Sequence, residues 1–280
     1  MKTVAREPVL FSLAYRMIKA GVRGGDFLMR IAGKVGVLDV VVRHRLGAVT
    51  FGVPLSHAHW SRRDLDNYEA KAIDYMCSAI GGCSDVTLFD CGADIGTFSA
   101  LMCSKSTRLT NVIAFEPNSD TTEILKWNLS QLPVRSRVVA KAVSSFEGRG
   151  RLENPAYDPA ADVARFLMPG DGPVEVTTVD ACDLRGGDLA IKIDVEGGEL
   201  EVLHGAKETI AAARHCVVAI EAHPMVVART GRDPVECLRF LESIRPFSFL
   251  VAETGARLSS SGPILRDGQS EVWSIIGESI

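Results

Sequence analysis

Ile191-Lys192-Ile193-Asp194-Val195-Glu196-Gly197-Gly198-Glu199 is the stretch on which the fold turns. It follows Gly186-Gly187 and leads into Leu200-Glu201-Val202-Leu203-His204-Gly205-Ala206, so it reads as a strand, a sharp turn and a helix. At the two-residue period of a strand, Ile191, Ile193 and Val195 share one face, and Lys192, Asp194 and Glu196 the other. A strand between helical segments is expected at the centre of a parallel sheet, apolar throughout. Three charges at its carboxyl end break that pattern, and buried charge is costly unless paired or used. Ligands of open α/β sheets bind outside the carboxyl ends of the strands. This segment is therefore the first candidate for an active centre. The competing structural reading is a Lys192–Asp194 pair that only ties the sheet to a neighbouring helix.

Upstream, Val86-Thr87-Leu88-Phe89-Asp90 is a short apolar strand ending in an acid, and Cys91-Gly92-Ala93-Asp94-Ile95-Gly96 follows as a glycine-rich turn. Gly92 and Gly96 are expected to let the backbone approach a ligand, and the helix beginning at Thr97 offers its first N–H groups. The spacing is not the Gly-x-Gly-x-x-Gly of dinucleotide-binding turns. An acid at the strand end repels a pyrophosphate and suits an amine. A second strand ends in Phe115-Glu116-Pro117-Asn118, with Glu116 twenty residues past Gly96, in register for a ribose diol. Pro117 fixes that turn and removes a competing donor. The combination favours an adenosine ligand without phosphates. S-adenosylmethionine fits, with ribose hydroxyls on Glu116 and its cationic amino-acid portion near Asp90 and Asp94.

These pieces resemble the FkbM-type family of S-adenosylmethionine-dependent methyltransferases. The likeness is carried by Phe89-Asp90-Cys91-Gly92-Ala93-Asp94-Ile95-Gly96, Ala114-Phe115-Glu116-Pro117-Asn118 and Ile191-Lys192-Ile193-Asp194-Val195-Glu196-Gly197. Val176-Thr177-Thr178-Val179-Asp180 and Ala219-Ile220-Glu221-Ala222-His223 extend it, so it spans about residues 86–224. The family usually carries Asn at the position of Asp94. The resemblance implies O-methylation of a hydroxyl on a sugar, polyketide or other secondary metabolite. The expected cofactor-binding residues are Asp90, Gly92, Asp94, Gly96, Thr97, Glu116, Pro117, Asn118 and Ala142.

Strand-like segments at 86–91, 112–116, 137–143, 189–195, 217–221, 247–252 and 271–276 alternate with helix-like ones at 98–104, 119–129, 199–213 and 234–244. That alternation predicts an α/β fold, a Rossmann-like doubly wound seven-stranded sheet with an antiparallel edge strand. Residues 61–280 are assigned to this domain. Its 144–173 segment carries four glycines and four prolines around Phe146, Tyr157 and Phe166, and is expected to be a lid over the acceptor. Residues 1–60 are read as an N-terminal helical extension. Its first 34 residues hold seven basic side chains against Glu7 and Asp26, a net +5 in a chain of net −4. Leu10, Leu13, Met17 and Ile18 are placed on one apolar face of a basic amphipathic helix. A cap on the acceptor pocket, a homodimer element and a membrane-surface contact near a lipid-linked acceptor compete for it, and packing is favoured over the membrane.

At 280 residues, 46% hydrophobic and 24% charged, the composition is that of a globular protein. No apolar run approaches the ~20 residues of a membrane span, and Arg16, Lys19 and Arg23 interrupt any secretory signal. Seven cysteines without a Cys-x-x-Cys pair suggest reduced thiols and a cytoplasmic location. The basic excess is local, which argues against nucleic acid as a partner.

Methyl transfer from a sulfonium needs an aligned acceptor oxygen and a destination for its proton. Asp194 is the preferred base or hydroxyl anchor, His223 the second candidate, and Glu196 is expected to position Lys192 or the acceptor. A metal-assisted route through Asp194, Glu196, Glu221 and His223 ranks below a metal-free one, and His57-x-His59 lacks a third ligand. The alternatives are an NAD-type oxidoreductase, whose turn should show a closer glycine triad, and a non-catalytic binding module, which should have lost Asp90, Glu116 or Asp194.

Overall fold

In the computed structural model, residues 2–4, 8–37, 40–55, 65, 67–153, 166–184, 186–265 and 271–280 are described. His57, His59 and Tyr157 lie outside the described residues. The chain begins with β1 (Lys2–Val4), α1 (Val9–Lys19), α2 (Gly25–Lys34), β2 (Val40–Leu46) and β3 (Val49–Pro54). Then follow α3 (Ala70–Ala79), β4 (Val86–Cys91), α4 (Thr97–Lys105), β5 (Leu109–Phe115), α5 (Ser119–Ser130), β6 (Arg135–Val139) and β7 (Ala142–Val143). An inserted region supplies β8 (Gly148–Glu153), β9 (Phe166–Pro169) and β10 (Val174–Thr177). The second half runs β11 (Asp188–Ile193), α6 (Glu199–His204), α7 (Lys207–Ala212), β12 (His215–Ala222), α8 (Pro224–Thr230), α9 (Val235–Ile244), β13 (Phe247–Val251), β14 (Arg257–Leu258) and β15 (Trp273–Ser279).

The main sheet has the order β14-β13-β15-β12-β11-β4-β5-β6. Its β6-β5-β4-β11-β12 portion is parallel, and β15 enters antiparallel between β12 and β13. Six of the seven predicted strands are present as single strands, and the seventh is divided. The edge is closed by the two-residue antiparallel β14, while the long antiparallel strand lies inside the sheet. Strand β11 is buried along its whole length, as a central strand should be. Leu88, Ala190 and Ala219 face one apolar layer, with Met76, Phe98 and Leu125 from α3, α4 and α5. Phe89, Ile191 and Ile220 face the other, with Leu203, Ile210 and Leu238 from α6, α7 and α9. The chain winds outward in one direction from β4 and in the other from β11, so the switch point where ligands bind falls between these two strands.

Four sequence expectations are corrected. The strand over 137–143 is two: β6 ends in the main sheet, and Ala142 in β7 pairs with Val176 of β10 in a second sheet, ordered β7-β10-β8-β9. The described part of the 144–173 segment is thus largely strands. Its glycines permit close backbone packing, since a Cβ on Gly172 would fall 2.0 Å from Gly150 O. The helix over 199–213 breaks at Gly205, where a Cβ would lie 2.0 Å from Ser144 O. Residues 1–60 are more than a helix: β1, β2 and β3 form a third sheet, whose Phe51 and Val53 are buried in the main core.

The fourth correction concerns α1. Among its described side chains Phe11 and Ala14 are buried, and Phe11 packs on Val40, Val42 and Leu55 with Tyr15 stacked beside it at 5.9 Å. Leu13 and Ile18, placed on one apolar face of this helix, are exposed. Apolar residues occur right round this helix, and the sheet beneath selects which of them it covers.

Candidate active site

The register of the central strands builds the site. Lys192 lies opposite Asp90 on one side and Ala219 on the other, so Asp194 and Glu221 fall side by side one step further on. By alternation these four residues share the face of Leu88 and Ala190. Lys192 is 2% exposed, and its Nζ donates to Asp194 Oδ2 at 2.8 Å and to Gly92 O at 3.0 Å. The Lys192–Asp194 pair expected as a structural alternative therefore exists, and it stands at the switch point. Burial opposes the charge on Asp194, yet the Lys192 ammonium and hydrogen bonds from Glu221 and Lys192 hold its carboxyl below the usual range. Burial, the Asp194 charge and their hydrogen bond push Glu221 well above it, so the two carboxyls share one proton.

Asp90 is fully buried. Ser99 Oγ donates to its Oδ2 at 2.6 Å, while Oδ1 has no partner among the described residues. Thr97 Oγ1, at the first residue of α4, and Glu69 Oε1 are likewise buried without one. Glu69 precedes α3 in a left-handed conformation (φ 42°) and accepts a hydrogen bond from the Tyr68 hydroxyl. Burial, partly offset by Lys192 and reinforced by Asp194, raises its carboxyl to about 7. Neither Tyr68 nor Glu69 was anticipated, because they end no strand; the only signal is an acid directly before the apolar helix α3.

Glu116 Oε2 accepts from Asp94 N at 2.8 Å and Oε1 from Asn118 N at 2.7 Å. Burial raises it to about 7 against those two backbone donors. Pro117 thus does not leave this carboxylate uncontested: the amide after it fills one lone pair, and one on each oxygen remains. The Asn118 side chain caps α5 through Asp120 N at 3.2 Å. The glycines also serve contacts other than those expected. A Cβ on Gly92 (φ 83°) would fall 1.8 Å from Asp194 O, and on Gly96 (φ 88°) 2.9 Å from Leu125 and Leu129 Cδ1. Gly92 lets the two strand-end loops touch, and Gly96 lets α5 cross the turn.

Glu196 does not continue the Lys192–Asp194 face. The strand ends at Ile193, and Glu196 occupies a left-handed turn (φ 60°). Gly92 and Asp194, not Glu196, position Lys192. Burial, then the charges of Asp194 and Glu199, raise Glu196 to about 7. Its carbonyl accepts from Arg229, whose guanidinium lies 4.4 Å from the Phe166 ring of the inserted sheet. His223 caps α8, its Nδ1 accepting from Met225 N at 3.2 Å. That lone pair is occupied, which disfavours His223 as a base through Nδ1. Glu221 and His223 also line a cleft of about 420 Å³ with Val226, Thr230 and Cys237. Among the described residues no group of three His, Cys, Asp or Glu side chains is placed to hold a metal, and no helix is long and apolar enough to cross a membrane.

Residues 90–245, more than half of the chain, match the methyltransferase FkbM domain. The chain belongs to the FkbM methyltransferase family. It is 29% identical over 203 residues to the hexuronic acid methyltransferase AglP of Haloferax volcanii, covering 71% of this chain and 77% of that protein. A crystal structure of methyltransferase FkbM from Methylobacillus flagellatus superposes with a TM-score of 0.43 at 18% identity, over 69% of this chain but only 43% of that one. The structure of M. jannaschii TYW2 in complex with AdoMet gives 0.45 at 14% identity, over 85% and 84%. Both structural likenesses are too distant to bear on the substrate of this FkbM methyltransferase.

Proposed function

We propose that this methyltransferase uses S-adenosylmethionine to methylate a hydroxyl of a sugar acceptor. The observation that carries the cofactor is the trio of buried, unpartnered atoms Asp90 Oδ1, Glu69 Oε1 and Thr97 Oγ1 around one glycine turn. Two buried acceptors near enough to interact electrostatically suit an ammonium group. A hydroxyl beside the N-terminal amides of α4 suits a carboxylate. Together they fit the α-amino-acid end of the cofactor, with Asp94 nearby and the remaining lone pairs of Glu116 for the ribose diol. We assign Gly92, Gly96, Pro117, Asn118 and Ala142 to the same cofactor site. The sugar reading is supported by the likeness to a hexuronic acid methyltransferase.

Bound there, S-adenosylmethionine supplies an electrophilic methyl group and carries away the leaving sulfide. The chain's own task is to align the hydroxyl and receive its proton. Asp194, held ionised by Lys192, is a weak base and a strong hydrogen-bond acceptor, so its role is the hydroxyl anchor. Glu196, near 7 in the same loop, is matched to accept the proton at neutral pH.

Isothermal titration of the wild type and Glu69→Gln with S-adenosylmethionine, S-adenosylhomocysteine and NAD tests the cofactor. Binding of the two sulfur compounds, weakened about tenfold by the variant, is expected. Binding of NAD alone refutes the proposal. With a hexuronic acid acceptor, Asp194→Ala should abolish turnover and keep cofactor affinity within a few-fold.

A further inference from the structure

The N-terminal layers leave one face of the molecule uncovered. One side of the β1-β2-β3 sheet packs on the main domain through Val41, Phe51 and Val53. The other side, through Val40 and Val42, is covered by Phe11 and Tyr15 of α1 and by Met29 of α2. Both helices therefore lie on the same sheet face, and their opposite faces point the same way, into solvent. Those outer faces are not polar. Val9 (83% exposed), Leu13 (51%), Phe27 (60%) and Val35 (64%) stand on or beside them, with Val22 in the connection. Exposed Arg16, Arg23, Arg30 and Lys34 are interspersed, and Asp26 is the only acid of residues 8–37.

Large apolar side chains gathered on a monomer surface mark an interaction site. Their mixture with cations selects the partner. The buried core of a protein–protein interface is depleted in charged residues, lysine included, whereas a short amphipathic helix lying in a bilayer interface buries its apolar side chains among the acyl chains and sets its cations at the headgroups. At 11 and 10 residues, the two helices suit lying flat rather than spanning. We propose that the outer face of the α1–α2 hairpin docks on an anionic lipid bilayer.

Co-sedimentation of the full chain with vesicles of phosphatidylcholine alone, or with one-third phosphatidylglycerol, tests this. The anionic vesicles should pull the protein down and the neutral ones should not, and 0.5 M salt should release it. Arg16→Gln/Arg30→Gln should lower the partition coefficient about 25-fold, at roughly fivefold per charge, and Leu13→Ser/Phe27→Ser should lower it comparably. These side chains are exposed, so unchanged melting temperatures and cofactor titrations show that both variants remain folded. Equal binding to both vesicles, binding to neither, or unchanged binding by the folded variants overturns the proposal. A dimer in sedimentation velocity that Leu13→Ser/Phe27→Ser dissociates would instead assign the face to a second copy.

Discussion

Lys192→Met removes the cation that Asp194, Asp90 and Glu69 share. Methionine keeps most of the stem volume, so the loss is chiefly electrostatic. Breaking a buried pair by deleting one partner costs about 3–5 kcal/mol. At about 2.1 cal/mol/K of unfolding entropy per residue, 280 residues give roughly 0.6 kcal/mol per degree, so Tm should fall by about 5–8 °C. The sign of the pH dependence follows from linkage. With Lys192 present, Asp194 is depressed, and its stabilisation persists above its unfolded value and is lost as pH falls through the folded one. Without Lys192, burial dominates, and Asp194 and Asp90 take up protons instead. The deficit should therefore be largest near pH 8 and shrink toward pH 5. Differential scanning calorimetry at both pH values, with Asp194→Asn and the double variant completing a cycle, measures it. A fall below 2 °C, an equal deficit at both pH values, or strict additivity in the cycle would refute a shared buried charge network.

Ligand-free protein should lose stability as pH rises. Glu116 is raised in the folded state from 4.5 to about 7, so its contribution is full below 4.5 and lost through 7, about 3 kcal/mol in all; melting curves from pH 5 to 8, with Glu116→Gln losing part of the slope, check it. Asn128 is fully buried: it accepts from Gly52 N and donates to Gly52 O and Ile95 O. Asn128→Ala should cost roughly 3 kcal/mol or more through unsatisfied backbone groups. Hydrogen exchange should then accelerate in β3 ahead of β4 and β11.

What the sequence made legible is what a strand end makes legible. Asp90, Glu116 and Asp194 each close an apolar run, and a carboxylate is misplaced in a buried strand unless it faces a ligand. Glu69 stayed hidden because its position depends on α3 packing across the sheet, a contact no local pattern encodes. The hairpin of β2 and β3 was readable but went unread: Leu46-Gly47-Ala48-Val49 is a two-residue turn with Gly47 at φ 59°, between valine-rich runs. The buried face of α1 was ambiguous, since both of its stripes are apolar. Gly92 and Gly96 were noticed for their turn, but the backbone and leucines they admit come from over a hundred and about thirty residues away, respectively.

The inward place of β15 bears on how the chain folds during synthesis. Strand β13 pairs with β14 and β15 but not with β12. Residues 247–251 therefore emerge from the ribosome before their route into the main sheet exists. Until residue 279 has left the exit tunnel, β12 ends the nascent sheet as a naked edge, with its N–H and C=O groups facing water. Closure then requires threading the last strand between two formed earlier, a late and non-local step. The interval before it is when this protein is most exposed to edge-to-edge aggregation.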